Sequence, residues 1–148
     1  MNKQQLVGEV SYKLKKLCCI LNRMKLKNKH VSVIIWSENY EKLVDWYANV
    51  LGFTIRERLT LPDDTCTGFD FGDTYFSIGR HDKVRGVNHD SYRIMIGFNV
   101  DSVNEIYDEL KNKPVKIIAK PFESPQGGYW CMTIADPEEN ILQFFGSK

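Results

Sequence analysis

Two hydrophobic rhythms alternate along the chain. "HVSVIIW" (30 to 36) is a β-branched run and predicts a strand. In "SENYEKLVDWYANVLGF" the apolar residues Leu43, Val44, Trp46, Tyr47, Val50 and Leu51 recur at helical spacing. Ser37 or Asn39 can cap that helix, Glu38 and Glu41 suit its positive end, and Gly52 ends it. Alternating segments near 53–60, 66–71 and 74–80 predict three strands, the last two joined at "GD" (72 to 73), a hairpin signal.

The order then repeats. "YRIMIGFNV" (92 to 100) predicts a strand. "DSVNEIYDELKNK" predicts a helix with a capping box from Ser102 to Glu105, an apolar face of Val103, Ile106, Tyr107 and Leu110, and a stop at Pro114. Strands follow near 115–119, 128–135 and 140–145, the last two joined by "DPEEN". Each half is β-α-β-β-β with a period of about 65 residues, an internal duplication. Neither half can bury much core alone. Paired, their sheets can curve around a shared concavity.

The first 29 residues stand outside this repeat. Leu6, Val10, Leu14, Leu17, Leu21 and Met24 fall at steps of three or four, with Lys13, Lys15, Lys16 and Arg23 between them. This predicts a basic amphipathic helix, fit either for a membrane surface or nucleic acid or for docking on the domain or a second subunit. Met24 is a second candidate start. Charge separates the segments: residues 1–29 hold eight Lys/Arg and one acid, and residues 30–148 hold twelve Lys/Arg and eighteen acids. The acidic balance of the larger part argues against nucleic acid as a partner. No run is long enough to span a bilayer, and no stable membrane anchor is expected. Cys18, Cys19, Cys66 and Cys131 match no disulfide or zinc spacing, which points to reduced thiols and a cytoplasmic location.

Three stretches, "EKLVDWYANVLGF" (41 to 53), "NVDSVNEIYDEL" (99 to 110) and "DPEENILQFF" (136 to 145), resemble the vicinal oxygen chelate superfamily of glyoxalase I, extradiol dioxygenases and bleomycin-resistance proteins. The resemblance implies an α+β fold of two tandem β-α-β-β-β modules, at 30–90 and 91–146, whose curved mixed sheets enclose a cleft. The helical leader at 1–29 precedes them. It also implies four metal positions: Ser32, Ser77 and Met95 stand where enzymes of the family carry His, Glu and His or Gln, and Gln143 stands where they carry a glutamate. Two hydroxyls, a thioether and a neutral amide supply no charge to a divalent ion, so no metal and no cofactor are expected. His30 shares the parity of Ser32 and is the one residue that could return as a ligand or general base. His81 and His89 belong to the polar connection between the modules.

Strand parity names a cleft lining that needs no metal. The first strand contributes His30, Ser32, Ile34 and Trp36. The hairpin of module one contributes Asp70, Tyr75 and Ser77. Module two contributes Arg93 and Met95, then Tyr129, Cys131 and Thr133, then Ile141, Gln143 and Phe145. Val33, Ile35, Phe69, Phe71, Phe76, Ile78, Ile94, Ile96, Phe98, Leu142 and Phe144 take the opposite face as core. "FESPQGGYW" (122 to 130) is either a lid or a plain turn.

Aromatic walls with a few hydrogen-bonding groups suit a small molecule. The expected function is metal-independent binding of a small, partly aromatic or hydrophobic ligand by a homodimer, as the resemblance to bleomycin-resistance proteins implies. The alternatives are a metal-dependent lyase, isomerase or dioxygenase of glyoxalase type with non-standard ligands, and a structural dimer without a ligand.

Overall fold

The computed structural model describes residues 31–60 and 65–148. The leader and His30 lie outside the described residues, and so do the expectations placed on them. Ten elements follow in order: β1 (Ser32–Ser37), α1 (Tyr40–Asn49), β2 (Ile55–Thr60), β3 (Thr65–Phe71), β4 (Thr74–Arg80), β5 (Met95–Ser102), α2 (Val103–Leu110), β6 (Lys116–Glu123), β7 (Trp130–Ala135) and β8 (Ile141–Ser147). They form two four-stranded mixed sheets, ordered β1-β4-β3-β2 and β5-β8-β7-β6. In each sheet the first strand runs parallel to the last, and the other pairs are antiparallel. The fold is α+β, with tandem modules in the expected order.

The local signals act where the residues demand them. Gly52 takes φ +75°, which ends the chain's helical run and turns it toward β2. Asn39 opens α1 through its backbone carbonyl, which accepts from Leu43 N at 3.0 Å, and makes no side-chain cap bond. Ser37, the other capping candidate, is fully buried and donates to Glu138 at 2.6 Å. Ser102 does cap α2, its Oγ accepting from Glu105 N at 3.3 Å. Gly72 and Asp73 form the two-residue turn of the β3–β4 hairpin, with Phe71 opposite Thr74.

The helix-side faces of the two sheets share one core. Leu43, Val44 and Tyr47 of α1 pack with Ile35, Phe69, Phe76 and Ile78 in module one; Val103 and Leu110 of α2 pack with Met132, Ile134, Leu142 and Phe144 in module two. Phenylalanines join the halves. Phe98 of β5 stacks at 5.1 to 5.9 Å on Phe53, Phe71 and Phe76 of module one and on Phe144 of its own. Such ring pairs add to simple burial. Trp46 Nε1 donates to Pro114 O at 3.2 Å, and Tyr47 OH to Asp136 Oδ2 at 3.0 Å, so α1 is bonded to module two as well.

Two expectations fail at the start of β5. The strand begins at Met95, not at Tyr92. Its partner β8 begins at Ile141, opposite Met95, so earlier residues have no neighbouring strand to pair with. Arg93 instead closes a turn: its backbone N donates to Asp90 O at 3.0 Å, and its guanidinium pairs with the Asp90 carboxylate. Ile94, expected in the core, is 71% exposed.

Candidate functional site: the two open sheet faces

Each sheet has a second face, turned away from its helix. In module one the register aligns Ser32, Ile34 and Trp36 of β1 with Tyr75, Ser77 and Gly79 of β4. Those in turn align with Asp70, Gly68 and Cys66 of β3, and Glu57 and Leu59 of β2 complete the row. In module two Met95, Gly97 and Asn99 of β5 align with Ile141, Gln143 and Phe145 of β8, and the latter with Ala135, Thr133 and Cys131 of β7. The parity expected from the sequence is therefore the observed one for these strands. Two described candidates stand outside the paired strands: Arg93 in the turn before β5, and Tyr129 in the turn before β7, although the Tyr129 ring still meets Phe145.

Glycines shape both faces. A Cβ on Gly79 would meet Trp36 Cζ3 at 2.6 Å, and one on Gly97 would meet Phe145 Cε2 at 2.6 Å. The indole and the phenyl ring thus lie down across the neighbouring strand, where only glycine leaves room. Gly68 does the same more loosely for Tyr75 and for Glu57 Cγ, at 3.6 and 3.2 Å. Trp36 also meets the His81 ring edge to face at 5.1 Å, and Tyr129 meets Phe145 at 6.1 Å. Large apolar side chains remain open to solvent on these faces: Ile34 at 46%, Trp36 at 38% and Met95 at 50%.

The polar groups are few and mostly engaged. Gln143 is half-buried, and its amide donates to Thr133 Oγ1 at 3.2 Å across the β7–β8 register. Ser77 is buried beside Tyr75. Burial pushes the Tyr75 phenol above its ordinary range, Cys66 and Glu57 add to the rise, and a hydrogen bond with Ser77 works against it. Burial likewise raises the Cys131 thiol above its ordinary range. The β6–β7 connection is a closed turn. Ser124 N donates to Tyr129 O at 2.9 Å and Gly127 N to Ser124 O at 2.7 Å, with Gly127 and Gly128 both at positive φ.

The four family metal positions do not fit a divalent ion of lyase or dioxygenase type. Ser32 and Ser77 offer neutral hydroxyls, Met95 a soft sulfur and Gln143 a neutral amide, none of which brings charge to a divalent ion. Among the described residues no group of three or more His, Cys, Asp or Glu converges as a metal site. Glu57 is the carboxylate that sequence reasoning missed on this face. A bulge between Ile55 and Glu57 shifts the alternation of β2, so simple parity conceals it. Gly68, Gly79 and Gly97 were missed because glycine leaves no mark in a hydrophobic pattern.

Comparison with known proteins bears on this arrangement. A family model described as the Glyoxalase/Bleomycin resistance protein/Dioxygenase superfamily matches residues 29–144. No curated protein sequence matches the chain. Among solved structures, a member of that superfamily from Sphaerobacter thermophilus DSM 20745 is 20% identical, with a TM-score of 0.68 over 84% of this chain and 100% of its own. TioX from Micromonospora sp. ML1 is 18% identical, with a TM-score of 0.63 over 82% of this chain and 100% of its own. A glyoxalase I variant from Zea mays is 16% identical, with a TM-score of 0.62 over 77% of this chain and 43% of its own, longer chain. At these identities the structures speak for the fold alone. The family match spans both modules, and by it the chain belongs to the glyoxalase/bleomycin resistance protein/dioxygenase superfamily.

Proposed function

We propose that the protein binds a small, partly aromatic or hydrophobic molecule on its open sheet faces, without a metal, and acts by sequestering it. The observation that carries this reading is the pair of aromatic side chains laid over glycines, Trp36 over Gly79 and Phe145 over Gly97. They offer flat apolar surface, with the half-buried Gln143 nearby to orient a polar edge. The helix-side faces already meet within one chain, through Phe76 and Phe98 among others. A second copy would therefore cover an open face, and a homodimer is the assembly that supports a closed pocket. The deciding experiment is a thermal-shift screen of planar aromatic compounds with and without chelator. Ligand-dependent stabilisation that survives chelation supports the reading. Stabilisation that vanishes with chelator overturns it.

Glu57 keeps a second reading alive. Its carboxylate side chain is close to Tyr75 across Gly68, on the face that also holds Ser32 and Ser77. A carboxylate there would be the charged ligand of a metal-dependent lyase, isomerase or dioxygenase with non-standard ligands. A metal titration monitored by melting temperature separates the two readings.

A further inference from the structure

The segment 84–88, in the connection between the modules, is fastened as a strap over the turn after β7. Asn88 N donates to Glu138 O at 2.7 Å, and Asn88 Nδ2 to Asn140 Oδ1 at 3.1 Å. Gly86, at φ +64°, donates its N–H to Glu38 Oε2 at 3.1 Å. A recess opens on either flank. One, of about 220 Å³, is bounded by Trp36, Asn140, the strap and Glu138. The other, of about 260 Å³, lies toward Lys42, Leu43 and Pro137 and shares Gly86, Val87 and Glu138 with the first.

Glu138 is only 6% exposed, and Ser37 donates to its Oε1 at 2.6 Å. Among the described residues no Lys, Arg or His stands within ion-pair distance of it. Arg85 of the strap is engaged elsewhere, with Nε 3.6 Å from Glu38 and Nη1 donating to Val84 O. A carboxylate drawn out of water and met by one neutral hydroxyl is an expensive arrangement, and a neighbouring positive charge offsets that cost. Trp36, 38% exposed, walls the same recess. An anion beside an aromatic ring is the combination that recognises alkylammonium groups.

We propose that the recess on the Trp36 side of the strap is a binding site for a small organic ammonium ion. Glu138 supplies the counter-charge, Trp36 the aromatic wall, and Asn140 a polar rim. The recess shares Trp36 with the sequestration reading, but Glu138 lies on neither open face, so Glu138→Gln tests this site apart from that reading. Isothermal titration of the full chain with choline and with its neutral isostere 3,3-dimethylbutan-1-ol tests it. Choline should bind, and the isostere, equal in shape but uncharged, roughly tenfold more weakly or not at all. In Glu138→Gln, whose amide oxygen can still accept from Ser37, that preference should disappear while the melt stays cooperative. Equal binding of the two probes to the wild-type chain, or no binding of choline, overturns the proposal, whatever the variant does. A retained preference in folded Glu138→Gln overturns it too.

Discussion

The indole of Trp36 lies across Gly79 on the neighbouring strand, so close that a Cβ there would stand 2.6 Å from Cζ3 and 3.3 Å from the Cys66 Cβ. Gly79→Ala must therefore lift the indole or bend β4. The expected cost is about 1 to 3 kcal/mol of stability, the usual scale of forced overpacking. Urea denaturation measures it, and a shift in tryptophan emission should accompany it. Gly52→Ala is the contrasting case: nothing lies within 4 Å, and only its φ of +75° opposes the change. It should destabilise without moving Trp36.

Leu142, Gln143 and Phe144 divide the two faces of β8 between them. Phe144 is 4% exposed and stacks on Phe98 at 5.9 Å, whereas Gln143 holds only Thr133. Phe144→Ala should cost about 3 to 5 kcal/mol, as core phenylalanine truncations do. Gln143→Ala should cost about 0.5 to 1.5 kcal/mol, one neutral hydrogen bond. Chemical denaturation of the two variants checks the order. Equal damage would mean that Gln143 is part of the core and not of an open face.

Much of this was legible in the chain. Alternation in β8 separates Leu142 and Phe144 from Gln143 because strand side chains alternate by backbone geometry alone. Ser102 and Glu105 announce α2 through a local bond, and Gly52 ends the run of α1 through a local torsion. What escaped depends on distant partners. The start of β5 is set by where β8 begins, which is why Arg93 and Ile94 left the strand. Ser37 looked like a cap, but its hydroxyl serves Glu138, 101 residues away. The glycines under Trp36 and Phe145 matter only through the rings above them.

Metal addition discriminates the functional readings. With hydroxyls at Ser32 and Ser77, a thioether at Met95 and a neutral amide at Gln143, added Zn²⁺, Ni²⁺, Mn²⁺ or Fe²⁺ should not raise the melting temperature. Elemental analysis of protein handled without chelator should find no stoichiometric ion. A near-stoichiometric ion that is lost in His30→Ala or Glu57→Ala would replace sequestration with the metal-dependent reading.

Asp136 sits almost wholly buried at the turn into β8 and accepts from Tyr47 OH, from the backbone N–H of Glu138 and Asn140, and from the Asn140 amide. Burial nevertheless dominates: it lifts the carboxyl above its ordinary value, with the hydrogen bonds pulling the other way. The folded chain therefore holds this proton more tightly than the unfolded chain. Its contribution to stability is fullest below the ordinary carboxylate pKa and is lost as pH rises through the raised one. Asp136→Asn removes the titration but turns an N–H₂ toward donors, so it should be less stable by about 1 to 3 kcal/mol at neutral pH. The two chains should also differ in trend. As pH falls from neutral toward the ordinary carboxylate range, the wild type should gain stability relative to Asp136→Asn. Urea midpoints across that interval give the comparison, and a gap that narrows on acidification would show that the hydrogen bonds, not burial, set this carboxyl.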